Sequence, residues 1–402
     1  MIRITDKKDC CGCTACANIC THGAITMQPD ALGFVYPKVD EAKCIDCGLC
    51  DKVCQFNGNY DCSLNLPKPK AFAVRHNEFD EVMMSRSGAA FVAISDYILE
   101  HGGVVYGVGY KDHFRIAHKR AVTKEERDEF RGSKYVQSDL TGIFRLVKDD
   151  LKHGLTVLFS GTPCQTSGLN AFVGKKYREN LFLVDIVCHG VGAPFVWKDY
   201  LSYLEKEQKD TIQKVNFRDK EYGWSAHVET FGFKHTPGVK RRYPYRFYHS
   251  VMFRPSCNHC HFANIKRPSD ITLGDLWGWQ KIDSSLNADN KGINLLLLNT
   301  QKGVEFFDKI KESLIIKCLL DGTYLQPNLI NPTKAHFGHD KFERDYLEKG
   351  ISYIVNHNYD ADTLFAKFKS IVKRAKQKLK KGIVAIVGEQ GLASGKSLLR
   401  KK

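Results

Sequence analysis

The sequence predicts a chain of mixed class, α+β in a small N-terminal part and α/β in a larger second part, closed by a basic C-terminal helix. Three observations carry this. Nine of the fifteen cysteines fall between Cys10 and Cys54, a crowding that points to shared ligation rather than a large core. Beyond Pro67-Lys68-Pro69, short apolar runs alternate with helical patterns, as the elements of a sheet buried on both faces do. From Asp360 onward, apolar residues recur at helical spacing among lysines and arginines. The expected divisions are 1–62, a linker over 63–70, a large domain over 71–340, and a helical tail over 341–402.

Composition narrows the class. With 402 residues and 43% apolar content, the chain can bury more than one core. No run approaches the roughly 18 apolar residues of a membrane span. The start, MIRITDKKDCCGC, lacks an apolar leader, so the expected location is cytoplasmic. A reducing compartment argues against a disulfide framework for so many cysteines. The net charge of +15 is partly local, since residues 367–381 carry eight positive side chains and no negative ones. Nucleic acid, anionic lipid or an acidic redox protein would each suit that charge.

The cysteine spacing decides more. Cys10, Cys13, Cys16 and Cys20 follow C-x2-C-x2-C-x3-C, and Cys44, Cys47, Cys50 and Cys54 repeat it. Such a loop aims three thiolates at one 4Fe–4S cubane, while the fourth cysteine reaches the other cubane. Cys10, Cys13, Cys16 and Cys54 are then expected to hold one cluster, and Cys44, Cys47, Cys50 and Cys20 the second. The repeat predicts a pseudo-twofold dicluster ferredoxin fold over residues 1–62. Residues 24–27 and 34–36 suit short covering strands. Thr21 and Gln55 stand where bacterial ferredoxins carry proline. A zinc module is the rival reading, but zinc sites use separated cysteine pairs. Cys11 and Cys62 fall outside the register and read as free structural thiols.

In the large domain, strands are expected at 71–75, 104–108, 156–159 and 181–187, with helices at 87–101 and 139–152. Two strands run directly into chemical residues: Ser160 into Gly161-Thr162-Pro163-Cys164-Gln165, and Val187 into Cys188-His189-Gly190. Ligands of open α/β sheets bind at such strand ends, where glycine and a helix N-terminus favour an anionic cofactor. Cys257-x2-Cys260 would complete four thiolates with Cys164 and Cys188 for a third 4Fe–4S cluster. A zinc site using His259 and His261 is the alternative, and small buried thiols are the plainer one.

An ordered set of segments carries a resemblance. Ser85 to Phe91, Gly132 to Gln137, Gly161 to Gln165, Asp185 to Gly190, Asn216 to Lys220, the Cys257/Cys260 pair and Ser269 to Gly278 occur in that order. The set is similar to the coenzyme F-420 hydrogenase/dehydrogenase beta subunit family, in its form with an N-terminal 4Fe–4S dicluster domain, over about residues 1–340. The resemblance implies a flavin-binding α/β domain and an oxidoreductase that passes electrons from a reduced donor through the clusters to FAD. From there they would go on to an organic substrate or deazaflavin.

It also implies that Ser87, Gly88, Lys134, Gly161, Thr162, Pro163 and Gln165 line the flavin. Lys134 would meet a phosphate unless it is simply a solvated loop lysine. His189 is the catalytic candidate, as a proton or hydrogen-bond donor, against the reading of a satisfied structural histidine. Ala89 replaces the second glycine of the expected Ser-Gly-Gly loop. Asp270 and Asp275, before Trp277 and Trp279, would place backbone near the cofactor or serve a turn.

The expected partners are a ferredoxin or a partner redox subunit. The rival function is a non-catalytic electron-transfer subunit of a larger complex, with relatives in surface-polysaccharide pathways; a nucleic-acid partner is disfavoured by the triple-cysteine loops. The tail stripe Leu364, Phe365, Phe368, Ile371, Val372, Ala375 and Leu379 would lie on an anionic inner membrane surface or dock on the protein. Residues 382–397 imitate a strand and phosphate loop, but Gln390 stands where glycine is required.

Overall fold

Alternate residues of a buried strand must satisfy opposite faces, and the central strands here do so with apolar side chains on both. Val157 and Phe159 enter one core while Leu158 enters the other; Leu181 and Leu183 oppose Phe182 and Val184 in the same way. The structure, a computed structural model, describes residues 1–57, 60–241 and 250–359. The thirteen described strands are β1 (Ile25–Pro29), β2 (Val35–Val39), β3 (Asn65–His76), β4 (Val104–Lys111), β5 (Arg115–Ala121), β6 (Val157–Gly161), β7 (Leu181–Ile186), β8 (Ile212–Asn216), β9 (Glu229–Phe233), β10 (Val239–Arg241), β11 (Ile271–Asp275), β12 (Asn294–Thr300) and β13 (Leu314–Cys318). The α-helices are α1 (Ala15–Ile19), α2 (Leu49–Lys52), α3 (Phe79–Met84), α4 (Ala90–Glu100), α5 (Lys124–Asp128), α6 (Ile143–Lys152), α7 (Pro163–Val173), α8 (Pro194–Gln208), α9 (Trp279–Ile282), α10 (Gln301–Ile310) and α11 (His339–Asn356).

One eight-stranded sheet runs β13-β3-β12-β11-β7-β6-β4-β5. Its centre is parallel, β4 beside β6, β6 beside β7 and β7 beside β11. The flanks are antiparallel, so the sheet is mixed. The parallel strands end at Gly161, Ile186 and Asp275, and the functional residues gather there.

The expected linker is not one. From Asn65 the segment is already β3, with Asn65 opposite Thr300 and Lys70 opposite Leu298 across a register shift. Pro67 and Pro69 exclude helix but tolerate an extended strand where a ladder is irregular.

In the cysteine-rich part, β1 and β2 pair antiparallel with Met27 opposite Pro37. This part shares a core with the sheet: Ile2, Ala15, Cys16, Ile25, Cys50 and Val53 pack with Phe144, Val147, Phe159 and Leu169. Residues 1–339 accordingly form one compact unit, and the described residues from 340 to 359 belong to a second. Within the second, Asp345 accepts hydrogen bonds from Lys341, Lys349 and the Tyr359 hydroxyl. The tail stripe over 364–379 and the segment 382–397 lie outside the described residues. No described helix is long and apolar enough to cross a membrane.

Candidate functional site

The two cysteine loops are built on a backbone that only a few residues accept. Gly12 and Thr14 adopt φ of 71° and 69°, and Asp46 and Gly48, each 34 residues on, adopt 51° and 72°. The left-handed turns curl each loop so that its thiols face inward. Thr14 is held there by Asn18, whose amide donates to the Thr14 carbonyl and hydroxyl.

The fourth cysteines cross over. Burial pushes the Cys16 thiol up, with Cys13, Cys10 and Cys54 as its interacting neighbours. Burial likewise pushes Cys54 up to about 11, with Cys13 and Cys10 adding to it. Cys20 lines a small pocket with Cys44, Cys47 and Cys50. Backbone N–H groups reach two of these sulfurs, Ile2 to Cys50 at 3.2 Å and Ala24 to Cys20 at 3.3 Å.

A third set gathers at the sheet. Cys164 opens α7 after β6, and Cys188 follows β7, its parallel neighbour. Cys257 and Cys260 lie on a short 3₁₀ turn over Pro255–His259 and at its end. All four line one pocket with Cys11, Phe56, Pro163 and Arg254. Burial raises Cys257 to about 12 and Cys260 to about 11, and it raises Cys188 well above the usual thiol range. Burial in apolar surroundings favours the neutral thiol.

Among the described residues no group of three or more His, Cys, Asp or Glu converges closely enough for a single metal ion. His259 and His261 do not line the pocket: His259 faces the Pro255 carbonyl, and His261 sits edge-on to Phe56 at 4.9 Å. The zinc alternative therefore lacks its histidines. Cys11 is buried against both Cys13 and Cys164, hydrogen bonds to them holding its proton and lowering theirs.

The loop carrying Cys257 and Cys260 is anchored by a buried ion pair. Arg267 donates to Asp185 at 3.0 Å, to the Phe262 carbonyl at 2.7 Å and to the Ile186 carbonyl at 2.9 Å. Both side chains are fully buried.

Beside this pocket opens a cavity of about 610 Å³, and the two share Thr162, Gln165, Cys188, His189, Gly190, Val191 and Asn328 in their walls. Ser87, Lys134, Gly161, Thr162, Gln165 and His189 line the cavity. Pro163 faces the cysteine pocket instead. Gly88 lines neither. A Cβ there would lie 2.5 Å from the Val74 carbonyl oxygen, so its glycine serves packing against β3 and β12. Ala89 takes φ of 63° at the start of α4, the left-handed geometry for which glycine is the easier residue.

Lys134 lines the cavity with its ammonium turned to the carbonyls of Glu129 at 2.5 Å, Arg131 at 3.1 Å and Gly132 at 3.4 Å. Burial lowers it to about 7. Gln165 accepts from the Thr162 N–H and donates to Ser138, whose hydroxyl meets His118 Nδ1 at 2.9 Å. The His118 ring stacks on Phe159 and approaches the Ser160 carbonyl; burial lowers it to about 4 and keeps it neutral. His189 meets Asn328 at 3.2 Å and stands edge-on to Phe253.

Arg218, Asp275 and Trp277 form the far wall, with Arg218 to Asp275 at 2.9 Å and Trp277 stacked on Trp224 at 4.6 Å. Asp270 is not at the cavity. It is buried and accepts from Arg178, Thr300 and the Leu183 N–H, which knits β7 to β11. Sequence reasoning missed Arg254 and the role of Cys11; a basic residue three before Cys257 was the available signal for the first.

Residues 9–57 match the model of the 4Fe-4S dicluster domain. Residues 154–319 match the model for the C terminus of the coenzyme F420 hydrogenase/dehydrogenase beta subunit. No curated protein matches. A chain in a structure titled as the F420-reducing [NiFe] hydrogenase complex from Methanosarcina barkeri aligns at 16% identity and a TM-score of 0.45, covering 73% of this chain and 92% of that one.

Proposed function

We propose that this chain, which belongs through residues 9–57 and 154–319 to the coenzyme F420 hydrogenase/dehydrogenase beta subunit family with an N-terminal 4Fe–4S dicluster domain, conducts single electrons inward and hands them over in pairs beside its sheet. The chain is an iron–sulfur electron-transfer protein; the third cluster and the flavin are the finer part of the reading. The observation that carries it is the shared wall between the four-cysteine pocket and the large cavity.

Burial gives the route an order. Cys47 is exposed, with Ile45 63% exposed beside it, so the set of Cys20, Cys44, Cys47 and Cys50 is the outer one. A donor protein with an apolar, electron-carrying face would dock there. Cys10, Cys13, Cys16 and Cys54 are the inner set, touching the third set through Cys11. Cys164, Cys188, Cys257 and Cys260 would hold the third cluster.

The cavity suits a dinucleotide-sized flavin, since cofactor pockets run to roughly 300–1,000 Å³. Ser87, Gly161 and the Thr162 end of α7 line it, and Arg86, Arg131, Lys134 and Arg218 are the basic residues of its wall that a phosphate would meet. When bound, the clusters supply one-electron chemistry and the flavin couples it to two-electron transfer. His189 stands between the pocket and the cavity, held by Asn328 and positioned to hold a proton or donate a hydrogen bond at the two-electron centre.

The test is anaerobic reconstitution of the full chain, with iron and acid-released flavin measured together. About twelve irons, the content of three cubanes, and one FAD are expected. Cys257→Ser should remove about four irons and leave the flavin. Iron without any flavin would leave a cluster protein that serves a partner's catalytic centre.

A further inference from the structure

Between the inner N-terminal cysteines and the third set lies one fully buried arginine. Arg254 is 0% exposed. Its Nε donates to the Cys10 carbonyl at 2.8 Å, one terminal nitrogen to Gln137 Oε1 at 2.9 Å and the other to the Val35 carbonyl at 2.9 Å. Its guanidinium lies 4.1 Å from the Tyr36 ring centroid. The backbone is tied the other way: its N–H donates to Val191, beside Cys188, and its carbonyl accepts from the Cys257 N–H. The same residue is thus hydrogen-bonded to the loops of both thiol sets. Gln137 completes the junction by donating to the Cys11 carbonyl at 3.0 Å. Even Gly12 is shaped by it, since a Cβ there would fall 2.8 Å from an Arg254 nitrogen.

The three acceptors are neutral oxygens, and a buried charge with only neutral partners is costly unless an opposite charge lies near. A cubane held by four thiolates is a net anion and gains one more negative charge on reduction.

We propose that Arg254 is a positioning residue for electron transfer, the fixed countercharge that favours the reduced state of the inner N-terminal cluster and of the third cluster while clamping their loops together. The inference rests on the reading of the third set given above. In the step concerned, one electron leaves the outer cluster, which is oxidised, and enters the inner one, which is reduced; no bond or proton changes. The added negative charge arrives beside a buried guanidinium that bulk salt scarcely screens.

The experiment is a redox titration of the reconstituted full chain, monitored by electron paramagnetic resonance, with iron counted for each variant. Arg254→Gln should keep its iron and lower the inner cluster's midpoint by about 59 mV or more, tenfold in a one-electron equilibrium. The outer cluster should not move. Arg254→Lys, which keeps the charge and loses the fork, should restore most of the shift. Gln137→Glu places a carboxylate on the guanidinium and should lower the midpoint with Arg254 still present; it decides the matter if Arg254→Gln loses iron. Unchanged midpoints in iron-replete Arg254→Gln or Gln137→Glu protein overturn the proposal, as does a lysine variant that falls as far as glutamine. A wild-type content of about eight irons would discard the third cluster alone, and the inner cluster's midpoint would still judge Arg254.

Discussion

Gly168, on the second turn of α7, leaves so little room that a Cβ there would lie 2.8 Å from Cys13 Sγ. Cys13 therefore rests directly on α7, the helix that begins at Pro163, and the bare glycine sets the approach. Gly168→Ala should push Cys13 out of place and cost about 1–3 kcal/mol, the range for overpacking a filled site. Loss of about four irons with a lowered melting temperature is the expected pair of readings. Full iron and an unchanged melt would show that the approach is not tight.

The crossed ligands make a prediction that single substitutions cannot. Cys10→Ser with Cys54→Ser strikes one cluster twice, so the double variant should lose about four irons. Cys10→Ser with Cys20→Ser strikes both clusters and should lose about eight. Equal losses in the two double variants would mean that each run keeps its own fourth cysteine.

Arg267 supports the third set from behind. Arg267→Met would strand Asp185, which is 0% exposed, and free the Phe262 carbonyl beside Cys260. Breaking a buried pair from one side costs about 3–5 kcal/mol. Thermal unfolding should fall accordingly, and iron should be lost from the third set before the other two.

Lys134 gives the cavity a pH dependence. Burial holds its pKa at about 7, so the wall loses a positive charge as pH rises through 7. Binding of a phosphate-bearing flavin should weaken from pH 6 to pH 8, and Lys134→Met should bind more weakly but without that slope. Flavin titrations at the two pH values, followed by fluorescence, read this directly.

His118 acts on stability with the opposite limb. It stays neutral in the folded chain down to about 4, while the unfolded chain takes up its proton near 6.5. The unfolded state binds more protons between those values, so stability falls as pH drops from about 6.5 to 4, by on the order of 3 kcal/mol. His118→Asn should flatten that part of the stability curve in denaturant titrations at pH 4.5 and pH 7.

What was legible in the sequence was what spacing alone dictates. The repeat of three cysteines within seven residues implied two crossed ligand sets, because loop geometry is local and the left-handed residues at 12, 14, 46 and 48 repeat with the thiols. Strands were expected at 156–159 and 181–187 as apolar runs ending in chemical residues, and they stand at 157–161 and 181–186, since a strand buried on both faces favours a continuous apolar run. The tertiary structure alone decided the rest. Cys164 and Cys188 meet Cys257 and Cys260 because β6 and β7 are parallel neighbours and Arg267 returns the later loop to their ends. Pro67 and Pro69 fall inside β3 because the ladder there is irregular, which a dipeptide pattern does not encode. Gly88 faces the backbone of Val74 and Asn294 in the sheet. Arg254 lies between the inner N-terminal thiols, far back in the chain, and Cys257, three residues on. Local spacing specifies loops; which loops share a buried charge depends on how the sheet brings distant segments to one edge.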